Sequence, residues 1–299
     1  MNVKNVAIYG YGNIAKEVVG AINACDDMKL VGVVRRNPSA PQPPELAGVS
    51  VVDDIAKLEN VDVAILCAPS RLCPEIAKKL AQLSINTVDS YDIHSSIYDV
   101  KMELDAVCKK HNTAAIVSAG WDPGTDSVIR ALFHAMAPRG ITYTNFGPGM
   151  SMGHTVCVKS KAGVRDALSM TMPKGDGIHR RLVYVTLEDG VDFEKICEEI
   201  KKDPYFAHDE THIMKVDSID DVKDVGHGVH LVRKGTSGNK ANQNFAFDMR
   251  INNPALTAQV LVACARAVVK QQSGCYTLIE IPPIDLIEGD QEKIIRNFV

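Results

Sequence analysis

Four apolar residues, Val6-Ala7-Ile8-Tyr9, run without a break into Gly10-Tyr11-Gly12-Asn13-Ile14-Ala15. Such a strand must turn tightly and start a helix against itself. Gly10 permits the turn, Gly12 lets a ligand approach the backbone, and Ala15 stands where helix and strand pack closest. Ile14, Val18 and Ile22 then recur at helical spacing. A helix that opens there aims free N–H groups and its positive dipole end at whatever lies over the turn, which suits a pyrophosphate. The strand before and the helix after are what separate a dinucleotide fingerprint from a chance glycine spacing.

A second apolar run, 30–34, ends on Arg35-Arg36-Asn37. Enzymes that take NAD usually offer an acid here to the ribose 2′-hydroxyl. Two arginines instead suit the 2′-phosphate of NADP, which an acid would repel. The bland alternative is a solvated loop after a strand.

Strand and helix signals alternate through the first 120 residues. Strands are predicted at 51–52, 61–67, 87–89 and 114–118, and helices at 74–83 and 97–110. That alternation predicts βαβ units and a parallel sheet. Four prolines mark 37–48 as a surface loop. After Gly124 comes a helix (126–136), then strand-like runs at 141–146, 154–158, 168–172, 181–187, 227–232 and 245–251, interrupted by a helix at 193–202. Pro254 opens a long helix (Leu256, Val260, Ala263, Ala267) with Gly274 past its end. The predicted fold is α/β: a Rossmann-type doubly wound parallel sheet, 1–120, completed by 254–299. A second α+β domain, 121–253, is expected to bind substrate and form oligomers.

Composition limits the function classes. A net charge of −4 gives no global field for nucleic acid or an anionic membrane. No apolar run is long enough to span a bilayer, and a strand directly at the N-terminus leaves no room for a signal peptide. Eight scattered cysteines without a C-x-x-C pair suggest reduced, buried thiols and a cytoplasmic protein.

In open parallel sheets, ligands bind beyond the carboxyl ends of the strands. There stand Pro69-Ser70-Arg71-Leu72, Ser90-Tyr91-Asp92 and Gly120-Trp121-Asp122-Pro123. Asp92, Asp122 and the sole tryptophan are thereby aimed at the nicotinamide end of the cofactor. Alone, either acid is a helix cap or turn former. Together they suit a substrate ammonium group or the base that deprotonates it. In the second domain the glycine-rich bend 146–154 offers backbone N–H groups to a carboxylate. Thr171 ends a strand, His179-Arg180-Arg181 opens one, and His227 and Asn253 stand at element edges. Arginine binds carboxylates through a two-toothed fork, although an exposed strand start is the plainer reading. His208 and His212 are spaced one helical turn apart, but Asp209 follows the first histidine where a zinc helix needs glutamate. No metal site is predicted.

The runs GYGN, SYDIH, SAGWDPG, FGPGMSMGH, VGHGV and INNPALTAQ resemble the meso-diaminopimelate D-dehydrogenase family over essentially the full length. The chain is most similar to the branch with Phe146 in place of tryptophan and no insertion before the HRR segment, a branch associated with broader substrate acceptance. The resemblance implies NADP-dependent oxidative deamination of the D-centre of meso-2,6-diaminopimelate, giving L-2-amino-6-oxopimelate, ammonia and NADPH. It also implies the reverse amination of 2-keto acids to D-amino acids. It implies that Asp92 and Asp122 hold the D-centre amine, that Trp121 walls the site and that Phe146 lies among the substrate-binding residues; because the amine must lose a proton before hydride leaves, Asp122 is the first and Asp92 the second candidate for the catalytic proton. Backbone at Met152 and Gly153 takes the near carboxylate; Thr171, Arg181 and His227 take the distal one; Asn253 helps at the L-centre. Cofactor contacts are expected from Gly10, Tyr11, Gly12, Asn13, Ile14, Arg35, Arg36, Asn37, Pro69, Ser70, Arg71, Leu72, Ser90, Tyr91, Asp92, Gly120, Trp121, Asp122 and Pro123. Family members often show Ser-Arg-Arg where this chain has Arg35-Arg36-Asn37, so which arginine meets the 2′-phosphate stays open. A homo-oligomer, dimer or hexamer, is expected. The alternatives are another two-domain NADP enzyme, such as an aspartate- or homoserine-type dehydrogenase or dihydrodipicolinate reductase, or a non-catalytic NADP sensor.

Overall fold

A computed structural model describes residues 3–223 and 226–299. The chain divides into two compact units, 1–131 with 254–299, and 132–253.

The first unit begins with β1 (Lys4–Tyr9), α1 (Asn13–Asn23), β2 (Met28–Val34), β3 (Val51–Val52) and β4 (Val63–Leu66). It continues through α2 (Cys73–Gln82), β5 (Asn86–Asp89), α3 (Ile97–His111), β6 (Ala114–Val117) and the start of α4 (Thr125–Met136). The second unit contains β7 (Arg139–Phe146), β8 (Gly149–Met150), α5 (Met152–Lys159), β9 (Val164–Gly175), β10 (Ile178–Leu187), α6 (Phe193–Lys202), β11 (Glu210–Lys215), β12 (Gly226–Ser237) and β13 (Lys240–Asn252). Then α7 (Asn253–Val268), β14 (Gly274–Thr277), α8 (Pro283–Leu286) and α9 (Gln291–Phe298) complete the first unit.

The first unit's sheet runs β3-β2-β1-β4-β5-β6-β14, and every pair in it is parallel. Its strands are buried on both faces, so they read as continuous apolar runs rather than alternating ones. Val6 and Ile8 pack with α1 and α7, while Ala7 between them packs with α2. Strand β14 was not anticipated; the sequence marked only Gly274 as a helix stop. Helix α7 is apolar on nearly every side, since Ala258, Leu261, Val262, Cys264, Ala265 and Val268 are all fully buried beneath the sheet.

The second unit holds a sheet of order β11-β10-β9-β8 and one of order β13-β12-β7. Two sequence expectations fail here. Residues 154–158 read as a strand because of their β-branched content, but they lie in α5. Thr155 Oγ1 donates to the Ser151 carbonyl at 2.7 Å, and the buried pair is Thr155 and Val158, three apart. Val156 is 66% exposed, so the burial follows a helical period. Conversely, His212 lies in strand β11, where it faces Glu210 at 2.8 Å. The helical spacing of His208 and His212 therefore has no geometric meaning. Thr171 sits inside β9 rather than at its end.

Candidate active site

The strand order reverses between β1 and β4, and the glycine turn lies at that point. Gly10 has φ +94°, and a Cβ there would lie 2.6 Å from the Cys67 carbonyl oxygen just beyond β4. Only glycine fits both the angle and the contact. At Gly12 a Cβ would meet nothing within 4 Å, so the backbone faces open space. Helix α1 has no side-chain cap and no acid in its first turn. Its first amide N–H groups thus lack intrahelical acceptors and face that space, which fits a pyrophosphate. Arg35 follows β2. Its guanidinium lies 5.3 Å from the centre of the Tyr11 ring, and its Nη1 is buried without a hydrogen-bond partner. Tyr11 is held in turn by a 2.7 Å hydrogen bond from its hydroxyl to Glu45. Arg36 and Asn37 are exposed. An oriented, incompletely satisfied cation beside the turn fits a phosphate monoester.

Two strands along the same carboxyl edge of the sheet, Asp89 closes β5. Its carboxylate accepts from the N–H groups of Tyr91 (2.9 Å) and Ser118 (3.2 Å), and its carbonyl accepts from Ala119 N at 2.7 Å. One buried acid thus ties the Ser90-Tyr91-Asp92 loop to the turn that carries Trp121 and Asp122. Burial pushes the Asp89 carboxyl up to about 6, against the pull of those two N–H donors. Asp92 Oδ1 is buried and has no hydrogen-bond partner. Trp121 is 7% exposed. Arg130 Nη2 donates to Asp122 Oδ1 at 3.2 Å, while Nη1 lies 3.0 Å from Asp126 Oδ2. Asp126 is fully buried. Burial, followed by the charge of Asp122, raises its carboxyl well above the ordinary range.

In the second unit, strand register assembles residues far apart in sequence. Arg181 on β10 faces Thr171 on β9, and Thr171 faces Gly149 on β8. Gly149 packs so closely on β12 that a Cβ would lie 2.4 Å from the His227 Cα. His227 pairs with Ile251 on β13, next to Asn252 and Asn253. Helix α5 starts at Met152 without a side-chain cap, so the N–H groups of Met152 and Gly153 lie in its uncapped first turn. Arg181 Nε donates to Asp209 Oδ2 at 2.6 Å, Nη1 donates to Thr171 Oγ1, and Nη2 faces His179 Nε2 at 3.1 Å. His154 receives the Ser151 hydroxyl at 2.8 Å and meets the Tyr205 carbonyl at 2.8 Å. Burial, helped by Arg181, pushes it down to about 4, so it is neutral near pH 7.

Residues 4–118 match the oxidoreductase family with an NAD-binding Rossmann fold, and residues 120–180 match the diaminopimelic acid dehydrogenase C-terminal domain. Over 299 residues the chain is 56% identical to the meso-diaminopimelate D-dehydrogenase of Bacteroides fragilis, covering 100% of both chains. The chain belongs to the meso-diaminopimelate D-dehydrogenase family. The C. glutamicum DAP dehydrogenase in complex with DAP superposes with a TM-score of 0.90 at 30% identity, covering 100% of both chains. An engineered D-amino acid dehydrogenase bound to NADP+ superposes at 0.87 and 28% identity, again over 100% of both. As a member of this dehydrogenase family the chain is an oxidoreductase, which sets aside the reading as a non-catalytic sensor.

Three acids, two in the first unit and one in the second, carry no role in the sequence reading. Asp126 was legible, being four residues from both Asp122 and Arg130, one helical turn each way. Asp89 ends an apolar strand, which is a weaker signal. Asp209 had none, because β11 itself went unrecognised. Among the described residues, Cys25, Asp27 and Glu288 are close enough together to hold a metal ion. They already surround a cation. Arg266 donates to both Asp27 oxygens (2.5 and 2.9 Å) and to Cys25 Sγ (3.4 Å), with Glu288 at 3.6 Å. No helix among the described residues is long and apolar enough to cross a membrane.

Proposed function

We propose that the protein oxidatively deaminates meso-2,6-diaminopimelate at its D-centre with NADP, releasing L-2-amino-6-oxopimelate, ammonia and NADPH, and runs backwards as reductive amination of 2-keto acids to D-amino acids. The observation that carries this reading is the buried, unpartnered Asp92 Oδ1 beside the turn that holds Asp122. A buried carboxylate oxygen without a donor suits an incoming ammonium group. The full-length similarity to a named meso-diaminopimelate D-dehydrogenase supports the substrate, and the NADP+ bound by the engineered relative supports the cofactor.

Bound NADP supplies the hydride acceptor. Arg35, stacked on Tyr11 with a free Nη1, is the principal anchor of the 2′-phosphate, and exposed Arg36 adds charge beside it. Asp92 receives the substrate ammonium. Asp122 takes the proton that must leave nitrogen before the carbon can give up hydride, and Arg130 holds that carboxylate in place. Asp126 lies against the other terminal nitrogen of the same guanidinium, so Arg130 bridges the two acids. Trp121 excludes water beside the reacting carbon. The first-turn N–H groups of α5 take the near carboxylate, and Arg181 with Thr171 and His227 takes the distal one. Pinning the far end of the substrate selects one α-carbon and one face of it, and such orientation contributes about 7–11 kcal/mol to catalysis.

Exposed Leu132, Met136, Ile141 and Ile178 in the second unit support assembly of copies through that unit. Eight free cysteines, five of them buried, support a cytoplasmic location. The test is NADPH formation with meso-, L,L- and D,D-diaminopimelate side by side. Activity on the meso and D,D forms with none on L,L is expected; turnover of L,L-diaminopimelate alone refutes the D-centre assignment.

A further inference from the structure

Arg181 already has a carboxylate. Asp209 Oδ2 lies 2.6 Å from its Nε, and Thr171 and His179 engage its other two nitrogens. The Arg181 side chain is 11% exposed and that of Asp209 is 21% exposed. Screened from most solvent, this pair counts for more than a surface ion pair. Among the described residues, the other titratable groups facing Asp209 and Arg181 are two histidines. His179 Nε2 lies 3.5 Å from Asp209 Oδ1, and His154 Nε2 lies 4.0 Å from Oδ2. Burial first, and Arg181 second, pushes both below the ordinary histidine range, so neither is charged near pH 7. Neighbouring Glu210 is turned away to Lys174 and His212. The cluster around Arg181 therefore carries one positive and one negative charge, and they cancel.

We propose that Asp209 is a specificity-determining residue: a built-in carboxylate ligand of Arg181 that a distal substrate carboxylate must displace or share. This rests on the reading that Arg181 meets the end of the substrate remote from the reacting carbon. Without Asp209, a mostly buried guanidinium facing an uncharged substrate chain is left without a counter-charge, which disfavours that substrate strongly. With Asp209 present the guanidinium is satisfied in either case. An uncharged chain is then tolerated, and a carboxylate gains less because it competes with one already in place. Asp209 thus compresses the preference for a dicarboxylate over a D-amino acid with an uncharged side chain. It does so from the segment 208–212, whose two histidines serve no joint purpose.

The test compares kcat/KM for meso-diaminopimelate and for D-norleucine in the NADP-loaded enzyme, with Asp209→Asn and Asp209→Ser as two independent removals of the charge. The ratio of the two efficiencies is expected to rise about tenfold or more in favour of the dicarboxylate, mainly through KM. Asp209→Glu, which restores the charge, is expected to bring the ratio back toward that of the parent. A purely structural Asp209 would lower both efficiencies together and leave the ratio unchanged, which overturns the proposal. Arg181→Ala is measured alongside. If it lowers the ratio while the Asp209 variants do not move it, Arg181 binds the distal carboxylate and the role of Asp209 is refuted alone. If Arg181→Ala leaves the ratio unchanged too, the underlying reading of Arg181 falls and this inference falls with it.

Discussion

The two units prepare their polar groups in opposite ways. At the ends of β5 and β6 the first unit leaves capacity open: Asp92 Oδ1 is buried and unpaired, and Arg35 Nη1 is in the same condition beyond β2. In the second unit it is the cation that is engaged internally, each nitrogen of Arg181 being held by Thr171, His179 or Asp209. An open group gains its full interaction when a ligand arrives. A closed one gains only the difference between the new partner and the old. On the proposed function, Asp92 and Arg35 supply strength of binding and Arg181 supplies discrimination.

Asp122→Asn should break the open side most severely. Loss of a proton acceptor at the reacting nitrogen is expected to lower kcat about 10²–10⁴-fold at saturating NADP; retained kcat removes Asp122 from the proton transfer. Arg35→Ala should come next. One lost charge-assisted bond of about 1.5–3 kcal/mol lowers the NADP-over-NAD efficiency ratio about 10–150-fold, and Arg36→Ala should do less. Equal effects of the two variants would deny the special place of the stacked arginine. On the closed side, Arg181→Ala should cost meso-diaminopimelate about tenfold more than D-norleucine, because only the former has a distal carboxylate. A uniform loss would make the arginine structural.

The smallest effect concerns the staple. Asp89 titrates near 6 in the folded protein and near 3.8 when exposed. Between those values the folded state holds the extra proton, so stability falls as pH rises from about 4 to about 6 and stays lower above it. Asp89→Asn, whose amide oxygen can still accept from Tyr91 and Ser118, should flatten that slope by a value of the order of 2 kcal/mol. Denaturant midpoints at pH 4 and pH 6.5 measure it. A slope that survives the substitution assigns the pH dependence to another group.

Much of the first unit was legible because its rules are local. A parallel sheet buried on both faces writes itself as unbroken apolar runs, and its ligands lie just after each run. Asp92, Trp121 and Asp122 were singled out by that position alone. The second unit is harder to read. Half-exposed strands give short, ambiguous patterns, so 154–158 passed for a strand and β11 passed unnoticed. The pairing of Arg181 with Thr171, and of His227 with Ile251, depends on the register of long hairpins. No local periodicity encodes that.

The sequence by itself determined the dinucleotide turn, the parallel sheet, the arginines after β2 and the acids at the strand ends, because glycine geometry, apolar runs and charge act over a few neighbouring residues. Tertiary structure alone decided that Asp89 joins two loops and that Asp209 occupies Arg181. Those outcomes depend on burial and on distances between segments far apart in the chain, and both exist only once the core has packed.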